Sequence, residues 1–287
     1  MGPLTMVFGL NIFFCFVEAI AGWWTNSLAL FADAGHMLVD VMAIGLSLFA
    51  MWLSRKPATA HQTYGYHRVE ILAALVNGVL LWGLVLWIWV EAFQRLFQPP
   101  EVLGGPMLAV AMCGLVVNVV SGVILSRIAH DNLNVRGAFL HVLFDLLGSC
   151  AAVGAGLLIV WKGWFLADPL LSVATAGLIV WGAWKLIQEA VHVLMEGAPS
   201  HVDVKAIREA MIQVEGVKAV HDLHVWTLTS GFVAMSGHAV IEDAGTSQEI
   251  LAQAKRVLNE QFHIEHMTLQ LETENWGREE RPLRRLK

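Results

Sequence analysis

From residue 4 to about 195 the chain consists of six apolar runs, roughly 4–24, 28–53, 70–94, 103–127, 135–161 and 168–192. Each is about 20 residues or slightly more, enough to cross the ~30 Å hydrocarbon core of a bilayer as a helix. No water reaches the backbone there, so such runs must satisfy their own N–H and C=O groups, and helices do so within one segment. Only 15% of the residues are charged, against about 25% in an ordinary soluble protein. The breaks fall at Trp24–Ser27, Arg55–Pro57, Pro99–Pro100, His130–Asn132 and Asp168–Pro169. Trp23, Trp24, Trp52, Trp161 and Trp164 stand at the ends of runs, as interfacial tryptophans do.

The basic residues orient the chain. Arg55, Lys56 and Arg68 follow the second run, and Arg127 and Arg136 follow the fourth. The opposite loops hold only Arg95 and Lys162, so the positive-inside rule places both termini in the cytosol of a multi-pass cell (inner) membrane protein. The N-terminus has no basic stretch or small-residue cleavage site, and its apolar run reads as a span rather than a secretory signal. Cys15, Cys113 and Cys150 have no CxxC spacing and read as small buried residues. A net charge of −6 argues against nucleic acid as a partner.

From about 200 the pattern is that of a soluble domain. Val202–Val214 has helical periodicity, and Gly216 ends it. Val217–Leu228 and Phe232–Ile241 are rich in β-branched residues and flank Thr229-Ser230-Gly231, a hairpin signal. Ser247–Phe262 carries an apolar stripe at helical spacing, and Met267–Thr273 alternates. The expected architecture is an all-α six-helix transmembrane bundle (1–195), an αββαβ α+β domain (200–273) of ferredoxin or metallochaperone type, and a charged tail (274–287).

Two of the spans carry a His and an Asp four residues apart, His36/Asp40 and His141/Asp145. An i, i+4 pair lies on one helix face, one turn apart. A central Asp costs roughly 2.5–3.5 kcal/mol to insert, so function is the default explanation for it. One intramembrane His can serve helix packing as well as ligation, but a repeated pair is harder to explain that way. Two imidazoles and two carboxylates suit a divalent transition metal, zinc first. The expectation is a metal site in mid-membrane, hence a transporter. Asp33, one turn before His36, either orients the imidazole from behind or faces another helix. Asn118 is expected to bond across helices, Asp168 to cap its own helix ahead of Pro169, and Gly148, Ala152 and Gly156 to allow close helix approach.

The stretches Ala32–Asp40, Tyr64–Ile71, Asn132–His141, His221–Trp226 and Thr268–Glu272 resemble the signature segments of the cation diffusion facilitator family, above all its bacterial and animal zinc-transporting branch. The resemblance covers nearly the whole chain. It implies six spans, a cytosolic metallochaperone-like domain, a homodimer and proton-coupled zinc efflux by alternating access. It also implies a transport site at His36, Asp40, His141 and Asp145. In that family an Asp at the place of His36 goes with less strictness towards cadmium, so His36 favours zinc, with cobalt, nickel and some cadmium as further cargo. By resemblance, His221, His238 and Glu272 match positions that hold zinc in the cytosolic domain of some relatives, where the ion tunes the rate; the plain alternative is a set of surface residues on a sheet. His67 is a candidate for a relay ion in the loop, and His263 and His266 are candidate helpers. His221 and His224, three apart on a strand, should point to opposite faces. His61, His130, His192 and His201 read as solvated or interfacial. The chain lacks the His-rich N-terminal tail or fourth-to-fifth-span loop of many relatives, so its metal is expected from solution or through the C-terminal domain.

Zinc needs neutral imidazole and ionised carboxylate, so protons compete for the same side chains, and exchange of Zn²⁺ for H⁺ follows. The rival reading is a membrane haem protein with His36 and His141 as axial ligands, in which the paired Asp residues have no evident role. A metalloprotease is disfavoured because no HExxH stretch is present. The chain is expected to be a secondary active transporter, not an enzyme.

Overall fold

A computed structural model describes residues 3–126, 133–229 and 231–273, with side chains described from residue 7 onward except at Leu125 and residues 133–141. Six long helices come first: α1 Pro3–Thr25, α2 Leu28–Ser54, α3 Val69–Phe97, α4 Gly104–Ser126, α5 Leu133–Lys162 and α6 Ala167–Leu194. All six are long and apolar enough to cross a membrane, and each lies within three residues of its expected bounds. Their outward faces carry large apolar side chains such as Phe13, Phe16, Trp23, Phe93, Trp161 and Trp181, a surface matched to acyl chains rather than water.

The chain divides into two compact units, Met1–Phe49 with Ala73–Ile187, and Ala50–Leu72 with Gln188–Lys287. In the first, small residues bring helices together. A Cβ placed on Gly156 of α5 would come within 3.1 Å of the Leu108 backbone on α4, so the close approach expected of this stripe is made there. Asn118 of α4 donates to Ser149 Oγ of α5 at 2.9 Å, the cross-helix bond expected of it. An apolar seam runs between α2 (Leu28, Ala32), α3 (Val85, Ile88, Ala92) and α6 (Ala176). Cys15 is buried, whereas Cys113 and Cys150 lie on exposed helix faces, contrary to the expectation of burial; span surfaces that meet lipid have no need to hide a thiol.

The second unit contains α7 Val204–Ile212, β1 Val217–Thr229, β2 Phe232–Ile241, α8 Ser247–Phe262 and β3 His266–Glu272, with a short 3-10 turn before α8. Asp203 caps α7 by accepting from Lys205 N at 2.8 Å. The sheet order is β1-β2-β3; β1 and β2 are antiparallel, as a hairpin requires, and β2 and β3 are parallel, joined through α8. Ile207 and Met211 of α7 and Ile250, Ala254 and Leu258 of α8 bury one sheet face against Val220, Val225, Met235 and Ala239. This is the αββαβ order read from the sequence. The connection between α2 and α3 belongs to this unit: Tyr64 and Phe232 both stack edge-on against His266, and Glu70 accepts a hydrogen bond from Thr229.

Candidate metal sites

The helical period decides where the first candidate site forms. His36 and Asp40 lie one turn apart on α2, and Nε2 of His36 is 3.5 Å from Asp40 Oδ2. Across the bundle, Asp145 of α5 brings Oδ1 to 3.6 Å from the same nitrogen. Ligand atoms on a tetrahedral zinc, about 2.0–2.1 Å from the metal, stand about 3.4 Å apart. Each carboxylate holds about that distance from the His36 imidazole, while the three side chains do not close mutually to within 4.8 Å. Asp145 is only 5% exposed. A cavity of about 260 Å³ opens on the group, lined by Asp33, His36, Asp40, Phe144, Asp145 and Thr175 among others. His141 belongs to α5 one turn before Asp145, and its side chain lies outside the described ones.

Asp33 also lines this cavity, and its carboxylate meets that of Glu18 on α1 through a side-chain hydrogen bond. Asp33 thus faces the cavity and also lies against a third helix, α1, which meets the second of its two alternatives. Gly148 of α5 lies beside it: a Cβ there would be in ordinary contact with Asp33 Oδ1, at 3.5 Å. Glu18 is 2% exposed and rests against Gly114 of α4, where a Cβ would approach its Oε1 to 2.7 Å. Glu18 stands inside the first apolar run of the sequence. Its signal was the cost of a carboxylate at that depth, which asks for a partner.

Asp168 corrects an expectation. Rather than capping α6, its carboxylate caps α2: Oδ1 accepts from Ser27 Oγ at 2.7 Å and Ala29 N at 3.1 Å, and Oδ2 from Leu28 N at 2.7 Å. Asp168 lies in the first turn of α6, and α2 begins beside it with bare N–H groups and the positive end of its dipole.

The second candidate site is in the C-terminal domain. Among the described residues one group of metal-capable side chains closes to within 4.8 Å, and it is His221, His238 and Glu272. Sheet register does this. His221 pairs with His238 across β1 and β2, and Glu272 is paired with Val240 on β3, two residues beyond His238 along β2. Glu272 Oε1 lies 2.5 Å from His238 Nδ1, and its Oε2 3.2 Å from His221 Nε2. Glu272 is nearly buried and His221 exposed, so the group offers an ion an open side. Two imidazoles and a carboxylate fit zinc, with a fourth position left for water or another donor.

The pairing slips between His221 and His224, where Asp222 takes φ +49°. Strict alternation does not run through such a bulge, so the opposite-face argument for His221 and His224 loses its premise. Asp222 Oδ1 lies 3.1 Å from His224 Nε2, and its Oδ2 3.9 Å from His238 Nε2. His67 stacks edge-on to Phe232 in a cavity of about 620 Å³ that also holds His61, Arg68, Glu196 and His224. His263 takes φ +56° at the end of α8, and His266 stacks on Tyr64. None of His67, His263 and His266 belongs to the described three-residue group.

Residues 4–195 match the cation efflux transmembrane domain, and residues 199–274 the cytoplasmic domain of cation efflux proteins. The cadmium, cobalt and zinc/H(+)-K(+) antiporter of Bacillus velezensis is 44% identical over 90% of this chain and 83% of its own length. The zinc transporter ZitB of Escherichia coli is 40% identical over 94% of this chain and 86% of its own. A solved metal-bound C-terminal domain of the CzcD transporter from Cupriavidus metallidurans is 38% identical over 25% of this chain and 99% of its own, with a TM-score of 0.24.

Proposed function

The chain belongs to the cation efflux family, a family of secondary transporters and not of enzymes, and from that premise we propose that it exports divalent zinc from the cytosol in exchange for protons. The haem reading falls with this membership. Cadmium and cobalt are further cargo by likeness to the Bacillus antiporter, and nickel by the same donor chemistry. The observation that carries the proposal is the convergence of Asp40 and Asp145 on His36 Nε2 at 3.5 and 3.6 Å inside a membrane span. His141 completes the set as the fourth ligand, on its place one turn before Asp145.

The chemistry follows from competition for those donors. Facing the cytosol, the ligands give up protons and take Zn²⁺; the bundle then rocks, and protons from the other side displace the metal. Four protein ligands leave no standing open position for a metal-bound water, which disfavours hydrolysis. Asp33, hydrogen-bonded to Glu18, stands behind the ligands and holds the α2 face in place. The charge of the loops supports cytosolic termini. The match to the family's cytoplasmic domain supports a homodimer joined through that domain, with regulatory zinc at His221, His238 and Glu272. The transmembrane domain is accordingly 1–195, the cytosolic domain 200–273 and the tail 274–287. His67 is left as a relay candidate in the loop.

Zinc flux into sealed proteoliposomes under a pH gradient tests this. Wild type should transport; Asp145→Ala should cut flux by about a hundredfold or more, since even loss of a group behind a ligand costs about 10–100-fold, and collapse of the gradient should slow flux. Flux retained in Asp145→Ala refutes the site, and flux indifferent to the gradient refutes the exchange.

A further inference from the structure

Apart from the candidate metal ligands, the described residues of the membrane unit include a second carboxylate with several hydrogen bonds, Asp168, which is fully buried. Its three hydrogen bonds all go to the first turn of α2, at Ser27, Leu28 and Ala29. Ser27 Oγ in turn accepts from Leu30 N at 3.3 Å. Arg95, from the last turn of α3, stands with Nη1 3.7 Å from Asp168 Oδ2, donates to the Asn26 carbonyl at 2.6 Å and pairs with Glu91 at 2.9 Å. One carboxylate thus ties the start of α6, the end of α3 and the α1–α2 turn to the helix that carries His36 and Asp40.

The consequence lies in distances. The cap at Leu28 is eight residues before His36, about 12 Å along the axis. A tilt of α2 of about 5° about that end displaces the imidazole by about 1 Å, several times the ±0.2 Å a metal–ligand bond tolerates. Below the cap the apolar seams of α2 with α3 and α6 continue through Ala32 to Val39, Leu81 and Ala183, so α2 is fastened to these two helices. Ala29 and Leu30, in the capped turn itself, share a buried cluster with Ala152 and Ala155 of α5, the helix that carries Asp145, so the cap also fixes how α2 meets that helix.

We infer that Asp168 is a positioning residue for transport: by capping α2 in trans it sets the height and tilt at which His36 and Asp40 meet Asp145. Its contribution is to metal affinity, through the geometry of the ligand set, and not to protons or to metal directly. The Ser27 hydroxyl and the Arg95 guanidinium hold the carboxylate in that role. The inference rests on the transport-site reading above.

The test is the split between KM and Vmax for zinc in proteoliposomes, with flux normalised to correctly folded protein. Asp168→Asn keeps the shape, but its amide nitrogen meets the Leu28 N–H and cannot accept from it. KM should rise about tenfold, the worth of one helix cap, with Vmax per folded molecule close to wild type. Ser27→Ala removes one bond to the same carboxylate and the bond from Leu30 N, and should raise KM about three- to tenfold, as the loss of one or two ordinary hydrogen bonds does. An unchanged KM in Ser27→Ala overturns the inference even if Asp168→Asn fails to fold, and so does a fall in Vmax alone in either variant. Asp145→Ala in the same assay separates the two claims. Residual flux there sinks the site itself, whereas loss there with an unchanged KM in the cap variants sinks only the positioning role.

Discussion

Single residues show how much of this chemistry depends on what is missing beside it. Gly114 is such an absence: a methyl group there would meet Glu18 Oε1 at 2.7 Å and the Phe14 ring at 2.8 Å. Gly114→Ala should therefore destabilise the bundle by about 1–3 kcal/mol, the usual cost of overpacking. Gly45→Ala, where nothing lies within 4 Å, should cost nothing and should gain slightly from helix propensity. Thermal unfolding of both in detergent checks the contrast; equal melting temperatures would show that Glu18 moves aside freely. The His36/Asp40 pair was legible in the sequence because a helix makes i and i+4 neighbours without help from the rest of the fold. The Glu18–Asp33 bond was not, because it joins two helices across fifteen residues and a turn, and nothing local marks which faces meet.

Elements were legible where one periodicity ruled each. Twenty-residue apolar runs gave the spans, and alternating β-branched runs around Thr229–Phe232 gave the hairpin. What failed was the assumption that an element keeps its own period and its own caps. β1 slips at Asp222, and Asp168 serves α2 instead of α6. A trans cap cannot be told from a local one by sequence, since Asp before Pro suits both. The cytosolic metal set, in contrast, is register made chemical: parallel pairing of β2 with β3 brings Glu272 to His238 and His221. Glu272→Ala should lower zinc bound by the full-length protein by about one ion per chain, since removing one of three ligands costs an N/O site most of its affinity. Equilibrium dialysis at fixed free zinc measures this, and unchanged stoichiometry would return the three residues to ordinary sheet surface.

For the whole molecule, the informative fact is where the chain divides. The second compact unit takes in residues 50–72, so the segment that joins α2 to α3 packs with the C-terminal domain. Its fastenings are specific: Tyr64 on His266, His67 on Phe232, Arg68 with Glu196 at 3.0 Å, and Glu70 with Thr229. Phe232 begins β2 and His266 begins β3, the strands that carry His238 and Glu272 further along. Those strands also hold the segment leading out of α2. On the proposed function this domain tunes the rate, while the candidate ligands His36, Asp40 and Asp145 lie in the other unit. A chain truncated after Pro199 should keep zinc binding that depends on Asp145, and should lose transport rate by about tenfold, the scale of a coupling free energy between sites of roughly 1–3 kcal/mol. Zinc titration of the truncated protein, with and without Asp145→Ala, separates the two effects from the flux measured in liposomes. If truncation abolishes Asp145-dependent binding, the membrane site is incomplete without the domain. If the rate does not change, the domain serves assembly alone.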